Sequence, residues 1–229
     1  MVLRLGETLD LSLRDRNAML RAAGFEHAFE EPAFDGGLPP PLAQALERMS
    51  AQQEPYPLVV MNRRYDVLLA NQGASRLLAP FLPDLMSAPG AGTRLNMVQL
   101  LFEPNMARAV VDWERIARHI LSRMHRELLA QPSNTGLASL VQSLVALPHV
   151  PKEWRQPDLS SPSEPTLVLR LRLPDFELAF LMTTTVFQAP QNVLLDEIVI
   201  ESYFPFDERT VAACAKLAHA SRPPRPSGE

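Results

Sequence analysis

Five histidines could do acid–base or metal chemistry in this sequence, but their spacing gives them little scope to act together: His27, His119, His125, His149 and His219. His119 and His125 lie six residues apart on one predicted helix, about 240° around its axis, so they cannot chelate one ion. The sequence contains no Gly-x-Ser-x-Gly elbow, no glycine-rich phosphate loop and no His-Glu-x-x-His motif. We therefore predict no catalytic residue, no metal site and no cofactor.

The single cysteine and a run of threonines are the other reactive side chains. One thiol excludes an internal disulfide framework and a cysteine-rich zinc site. Cys214 lies among apolar residues of a predicted helix, and we expect it to be buried and unreactive because only Lys216 is near to stabilise a thiolate. The run Thr183 to Thr185 has two interpretations: plain β-propensity, or hydroxyls placed at the mouth of a pocket.

The composition is that of an ordinary globular protein, with 46% hydrophobic and 21% charged residues in 229. The net charge of −4, with only two lysines, argues against nucleic acid as the main partner of this chain. No apolar run approaches the roughly 20 residues of a membrane span, and the amino terminus does not resemble a signal peptide. We expect a cytoplasmic protein that does not bind membranes.

These side chains must be positioned by a mixture of helices and strands. Two short helices are expected first, the second capped by Ser12 and ended by Gly24. A linker over 30–41 follows, since the three consecutive prolines at its end break helices and central strands. The later predicted helices cover 42–50, 71–78, 94–102, 105–129, 137–144 and 208–220, and Asn71 is expected to cap the helix that ends at Leu78. The predicted strands cover 56–61, 66–70, 166–173, 176–183 and 193–203. Apolar residues alternate in the third and fourth, and the fifth is nearly continuous in apolar residues, as expected for a central strand buried on both faces.

The order is two strands, several helices and then three antiparallel strands, which is the order of a PAS-type domain. We therefore predict the α+β class, with a PAS-like five-stranded antiparallel sheet and inserted helices. The expected boundaries are a helical unit over 1–30, a linker and connecting helix over 31–52, the PAS-like domain over 53–221 and a disordered tail over 222–229.

An apolar pocket is expected between the sheet and the long helix, because methionine and aromatic side chains can line an adaptable cavity. The position of Trp113 in the middle of an apolar stripe favours a core role over ligand contact, and the arginines of the long helix are expected to form a solvated face rather than an anion site. If the pocket takes an acyl chain, the carboxylate of that ligand needs a hydrogen-bond donor, for which Arg64 and the threonine run are the candidates. The predicted ligand-binding residues are Arg64, Phe102, Trp113, Ile116, Ala117, Ile120, Met124, Phe180, Met182, Thr184 and Phe187.

Several short motifs carry a resemblance to a known family. Residues 3–25 resemble the end of the helix-turn-helix domain in XRE-type regulators that carry an MmyB-like ligand-binding domain. The later residues resemble that ligand-binding domain in order: Glu54-Pro-Tyr-Pro57, Asn62-Arg-Arg-Tyr65, Leu69-Ala-Asn71, Asn96 to Pro104, Trp113-Glu114, Pro148, Trp154, Phe187-x-x-Pro190-Gln191 and Ile200-Glu-Ser-Tyr-Phe-Pro205.

The resemblance implies a PAS-like sensor of small molecules, with fatty acid as one ligand type, in a homodimeric transcription regulator. It places the recognition helix before Val2, so DNA binding is implied only for a longer parent protein. Two alternatives stay open. The domain could be a dimerisation or protein-interaction module without a ligand, or an enzyme that uses Asn71, Arg64, His119 and the threonines.

Overall fold

A computed structural model defines the fold of the chain. It describes residues 1–11, 13–29, 38–81, 95–130, 134–155, 168–174, 176–187, 195 and 197–220. The predicted Ser12 cap, most of the predicted linker and the predicted tail lie outside these residues.

Five strands form one antiparallel sheet: β1 (Leu58–Asn62), β2 (Val67–Ala70), β3 (Val168–Arg172), β4 (Glu177–Val186) and β5 (Ile198–Pro205). Their spatial order is β2-β1-β5-β4-β3, so the last strand of the sequence is the central strand of the sheet. β5 pairs with β1 on one side and with β4 on the other. The predicted α+β class with a five-stranded antiparallel sheet is confirmed.

The helices of the described residues precede the sheet, lie between β2 and β3, or end the chain. They are α1 (Val2–Thr8), α2 (Leu13–Ala22), α3 (Pro40–Gln53), α4 (Gln72–Leu78), α5 (Met97–Phe102), α6 (Pro104–Ala109), α7 (Trp113–Ala130), α8 (Thr135–Val145) and α9 (Glu208–Ala220), with short 3₁₀ turns at Ala79–Phe81 and Lys152–Arg155.

The predicted continuous helix over 105–129 is wrong, because the helix is interrupted between α6 and α7. Asp112 has a φ of 56°, in the left-handed region that a helix cannot contain. Val110 bridges to Leu171 in β3, and the Val111 N–H donates to the Arg170 carbonyl at 2.9 Å. Contact with an edge strand therefore interrupts the helix, although the helical spacing of apolar residues continues through this part of the sequence.

Other boundaries also differ from the predictions. Pro40 and Pro41 belong to α3 rather than to a linker, since the first turn of a helix has free N–H positions that proline can occupy. β5 begins at Ile198 and extends to Pro205, whereas the start of the predicted strand over 193–203 falls largely outside the described residues. α5 begins at Met97 because the Asn96 side chain caps it.

The sheet buries both faces, which explains why every residue of β1 is buried. On the outer face, Leu58, Val60, Ile198 and Ile200 pack against Leu46 of α3. On the inner face, a larger core joins the sheet to the helices between β2 and β3. Cys214 lies at the edge of this core, and burial raises the pKa of its thiol to about 11, as expected for an unreactive cysteine.

Asn71 ties three elements together at the start of the sheet. Its Oδ1 accepts from the Leu58 N–H of β1 at 2.9 Å and from the Ala74 N–H of α4 at 2.8 Å. Its Nδ2 donates to the Tyr56 carbonyl at 2.8 Å and to the Ser50 carbonyl of α3 at 3.3 Å. The predicted cap of α4 by Asn71 is confirmed, and the same side chain also joins that helix to α3 and β1.

Replacing Asn71 with alanine should lower the free energy of unfolding by about 3 kcal/mol, because several buried backbone groups lose their partners together. Asn134→Ala is the matched control. Asn134 caps α8 through one hydrogen bond, to the Leu137 N–H at 3.0 Å, and its loss should cost about 1 kcal/mol. Urea unfolding of both variants measures the difference. Equal losses would show that Asn71 acts as a cap alone.

Candidate functional site

A cavity of about 70 Å³ lies between the inner face of the sheet and helices α5 to α7. Its apolar lining consists of Met61, Met97, Val98, Leu100, Leu101, Met106, Ile116, Ile120, Leu169 and Met182. Its polar lining consists of Tyr65, Arg123, Glu201 and Tyr203. A smaller space of about 20 Å³ shares Met97, Met106, Leu169 and Tyr203 with it. The two spaces therefore adjoin.

Four of the lining side chains are methionines, on β1, α5, α6 and β4. Pockets for drug-sized ligands have volumes of roughly 300–1,000 Å³, so about 70 Å³ holds only a few ligand atoms before the walls move. Methionine has three rotatable side-chain bonds and can change rotamer without leaving the core. The cavity is therefore small in this structure and has walls that can make it larger.

Glu201 places a carboxylate at the polar end of the cavity, on the inner face of the central strand. It lies between Val199 and Tyr203 on that face, and in the register of the sheet it lies opposite Val59 and Thr184. Its carboxylate accepts from the Tyr203 hydroxyl at 3.1 Å. Burial raises the pKa of Glu201, although the Tyr203 hydroxyl and the nearby Arg123 oppose this.

Arg123 brings the opposite charge to the same end from α7. Its Nη2 donates to the Tyr65 hydroxyl at 3.1 Å, and its guanidinium carbon lies 5.4 Å from the centre of the Tyr65 ring. Burial raises the pKa of Tyr65, and Arg123 partly opposes that shift. The Arg123 residue as a whole is exposed, and it also lines the cavity.

The hairpin turn between β1 and β2 holds Tyr65 in place. Tyr65 has a φ of 67°, a conformation that is uncommon for a bulky residue. The Asn62 side chain stabilises the turn by accepting from the N–H groups of Arg64 and Asp66, each at 2.9 Å. The Tyr65 carbonyl accepts from the Met97 N–H at 2.9 Å. The turn therefore connects directly to α5, which supplies much of the apolar lining.

Three of the eleven predicted ligand-binding residues line the cavity: Ile116, Ile120 and Met182. Thr184 lies on the same face of the sheet as Glu201 but is exposed.

The other predicted residues lie elsewhere. Phe102, Ala117, Met124 and Phe180 are fully buried in the inner core. Trp113 packs against Phe102, His149 and Trp154, and its Nε1 donates to the Leu101 carbonyl at 2.9 Å.

Arg64 and Phe187 lie away from the cavity lining. The Arg64 side chain is 61% exposed and pairs with Asp66 at 3.7 Å. Phe187 packs against the outer cluster beside α3. Part of the predicted set therefore lines the cavity, and the cation in the lining is Arg123 rather than the predicted Arg64.

The four polar residues of the cavity were not predicted from the sequence. One signal was available for Glu201, because it interrupts an apolar strand that was predicted to be buried on both faces. For Arg123 no such signal exists, since an exposed arginine on an amphipathic helix is usually a solvated residue. Tyr65 could have been noticed only as the last residue of a hairpin turn.

Metal binding and membrane insertion find no support among the described residues. In that part of the chain no group of three or more His, Cys, Asp or Glu side chains could hold a metal ion. No helix within the described ranges is long and apolar enough to cross a membrane.

Comparison with known proteins assigns the family. A search of curated proteins found no match. The family model of the MmyB-like transcription regulator ligand binding domain matches residues 42–217. These residues begin in α3 and end in α9, so the match includes all five strands and every residue that lines the cavity. The chain therefore belongs to the MmyB-like transcription regulator ligand binding domain family.

Proposed function

We propose that the cavity between the sheet and α5 to α7 is the ligand-binding site of this domain, and that it takes a small apolar molecule such as a fatty acid. The observation that supports this most directly is the cavity lining itself. Ten apolar side chains surround a space that has the guanidinium of Arg123 at its polar end. An acyl chain with a terminal carboxylate has the complementary arrangement.

The energetics favour such a ligand. Each buried methylene contributes about 0.8 kcal/mol, so a medium chain gains most of its affinity from the apolar lining. Its carboxylate still needs a donor, because an unpaired buried charge is costly. Arg123 lines the cavity, whereas the Arg64 side chain is largely exposed and is paired with Asp66. We therefore propose Arg123 as the carboxylate partner.

We propose that the regulator is a cytoplasmic XRE-type helix-turn-helix protein and acts as a homodimer. In this proposal α1 and α2 are the last helices of the DNA-binding domain, and α1 with the residue that follows it exposes Leu3, Leu5 and Leu9 as apolar surface for packing. We also propose that the domain is not an enzyme. Burial raises the pKa of both Tyr65 and Tyr203, so their hydroxyls stay protonated at neutral pH and neither is a ready base.

This chain alone should bind DNA only weakly and without sequence preference. Its net charge is −4, and sequence recognition by a helix-turn-helix needs the second helix in the major groove. Selection from a pool of random duplexes at physiological salt should enrich no sequence, with dissociation constants of about 1 μM or weaker. Enrichment of a defined sequence bound more tightly than that would reject the prediction.

Filling the cavity should abolish ligand uptake. Val98 is buried in α5 and lines the cavity, so Val98→Phe should occupy the space that an acyl chain would need. We expect octanoic acid to displace a fluorescent fatty acid from the wild-type protein, and the variant to take up the probe at least about tenfold more weakly.

Val145→Phe is the control for this experiment. Val145 is a half-buried residue of α8 that packs against the same core but is not part of the cavity lining. Uptake by this variant should stay near that of the wild type, and circular dichroism should show both variants folded. Equal uptake by Val98→Phe and the wild type would place the ligand elsewhere.

A further inference from the structure

We propose that the ligand carries a second polar group besides its carboxylate: a hydroxyl close to the carboxylate that donates a hydrogen bond to Glu201 while Arg123 pairs with the carboxylate. The preferred ligand class is then a hydroxylated acyl chain. This inference rests on the proposed function, because it concerns the same cavity and the same carboxylate partner.

The position of Glu201 is the first argument. It lies on the inner face of the central strand, between Val199 and Tyr203, where an apolar residue would fill the core. Burying a carboxylate there is costly unless donors satisfy it. The Tyr203 hydroxyl donates to one of its oxygens, at 3.1 Å. An ionised carboxylate offers about four acceptor sites, so Glu201 retains capacity for a donor on the ligand.

The two charged groups at this end are held separately, which is the second argument. Arg123 donates to the Tyr65 hydroxyl from α7, and Glu201 accepts from the Tyr203 hydroxyl in β5. Both line the same cavity, one from the helical wall and the other from the sheet. A ligand whose polar end offers both an acceptor and a donor can therefore engage each of them.

Ligands with a single polar group satisfy only one of the two. An unsubstituted fatty acid pairs with Arg123, but its ionised carboxylate has no donor for Glu201 and carries the same charge. An alkylamine donates to Glu201 but repels Arg123. A hydroxy acid brings a carboxylate for Arg123 and a hydroxyl for Glu201, so no buried polar group is left without a partner.

The test compares three acids on the whole chain by isothermal titration calorimetry: octanoic, 3-hydroxyoctanoic and 8-hydroxyoctanoic acid. The wild type should bind 3-hydroxyoctanoic acid about tenfold more tightly than octanoic acid, because a buried carboxylate that can accept a further hydrogen bond favours the ligand that supplies the donor. The 8-hydroxy isomer should show no such gain, since its hydroxyl reaches the apolar end.

The variants assign the preference to named groups. Glu201→Leu should remove the advantage of the 3-hydroxy acid, whereas Arg123→Gln should weaken both acids by a similar factor. Glu177→Leu is the matched control, because Glu177 is an exposed residue of β4 that pairs with Arg172, and it should leave the ratio unchanged. If Glu201→Leu fails to fold, Glu201→Gln is measured instead. It keeps an acceptor of the same size and should retain part of the preference.

The outcomes separate this inference from the proposed function. Equal affinity of the wild type for octanoic and 3-hydroxyoctanoic acid would overturn the role of Glu201 and leave the acyl pocket standing. A preference that persists in Glu201→Leu would do the same. Binding of none of the three acids would overturn both proposals.

Discussion

The carboxylate of Glu201, on the inner face of the central strand, is the constraint around which the polar end of the domain is organised. β5 is paired on both sides and packs against a cluster on each face, so a charge there loses most of its contact with water. The Tyr203 hydroxyl donates to this carboxylate, and Arg123 lowers the cost of its ionisation from across the cavity. A core of closely packed apolar side chains could not accept Glu201. The cavity beside Glu201 therefore explains how its carboxylate can lie in the core.

Three buried asparagines hold the elements around the cavity together through their side-chain hydrogen bonds. Asn71 joins α3, β1 and α4, while Asn62 shapes the turn that presents Tyr65. Asn96 caps α5 and donates to the Arg64 carbonyl of the same turn at 2.7 Å. All three lie in motifs that carry the family resemblance. Those motifs therefore serve the fold through its capping and turn chemistry, and they also contain Tyr65, Glu201 and Tyr203 of the cavity lining.

The parts of the fold that local pattern determines were predictable. Alternating apolar residues in β3 and β4 gave the strands and their buried faces, and Asn71 was recognised as a cap from its position before an apolar helix. The break at Asp112 was not predictable, because it depends on contact between Val110 and a strand about sixty residues later. The polar end of the cavity depends on the same kind of long-range pairing: Arg123 meets Tyr65 across a separation of 58 residues.

The most direct test of the cavity as the ligand site is the NMR spectrum of ¹³C-methyl-labelled methionine during titration with octanoic acid. Met61, Met97, Met106 and Met182 line the cavity, whereas Met124 is buried in the same core without lining it and Met49 is exposed in α3. The account predicts large, saturable shifts for the four lining methyl groups and small ones for Met49 and Met124. Saturable shifts confined to Met49, or none at the four lining residues, would contradict it.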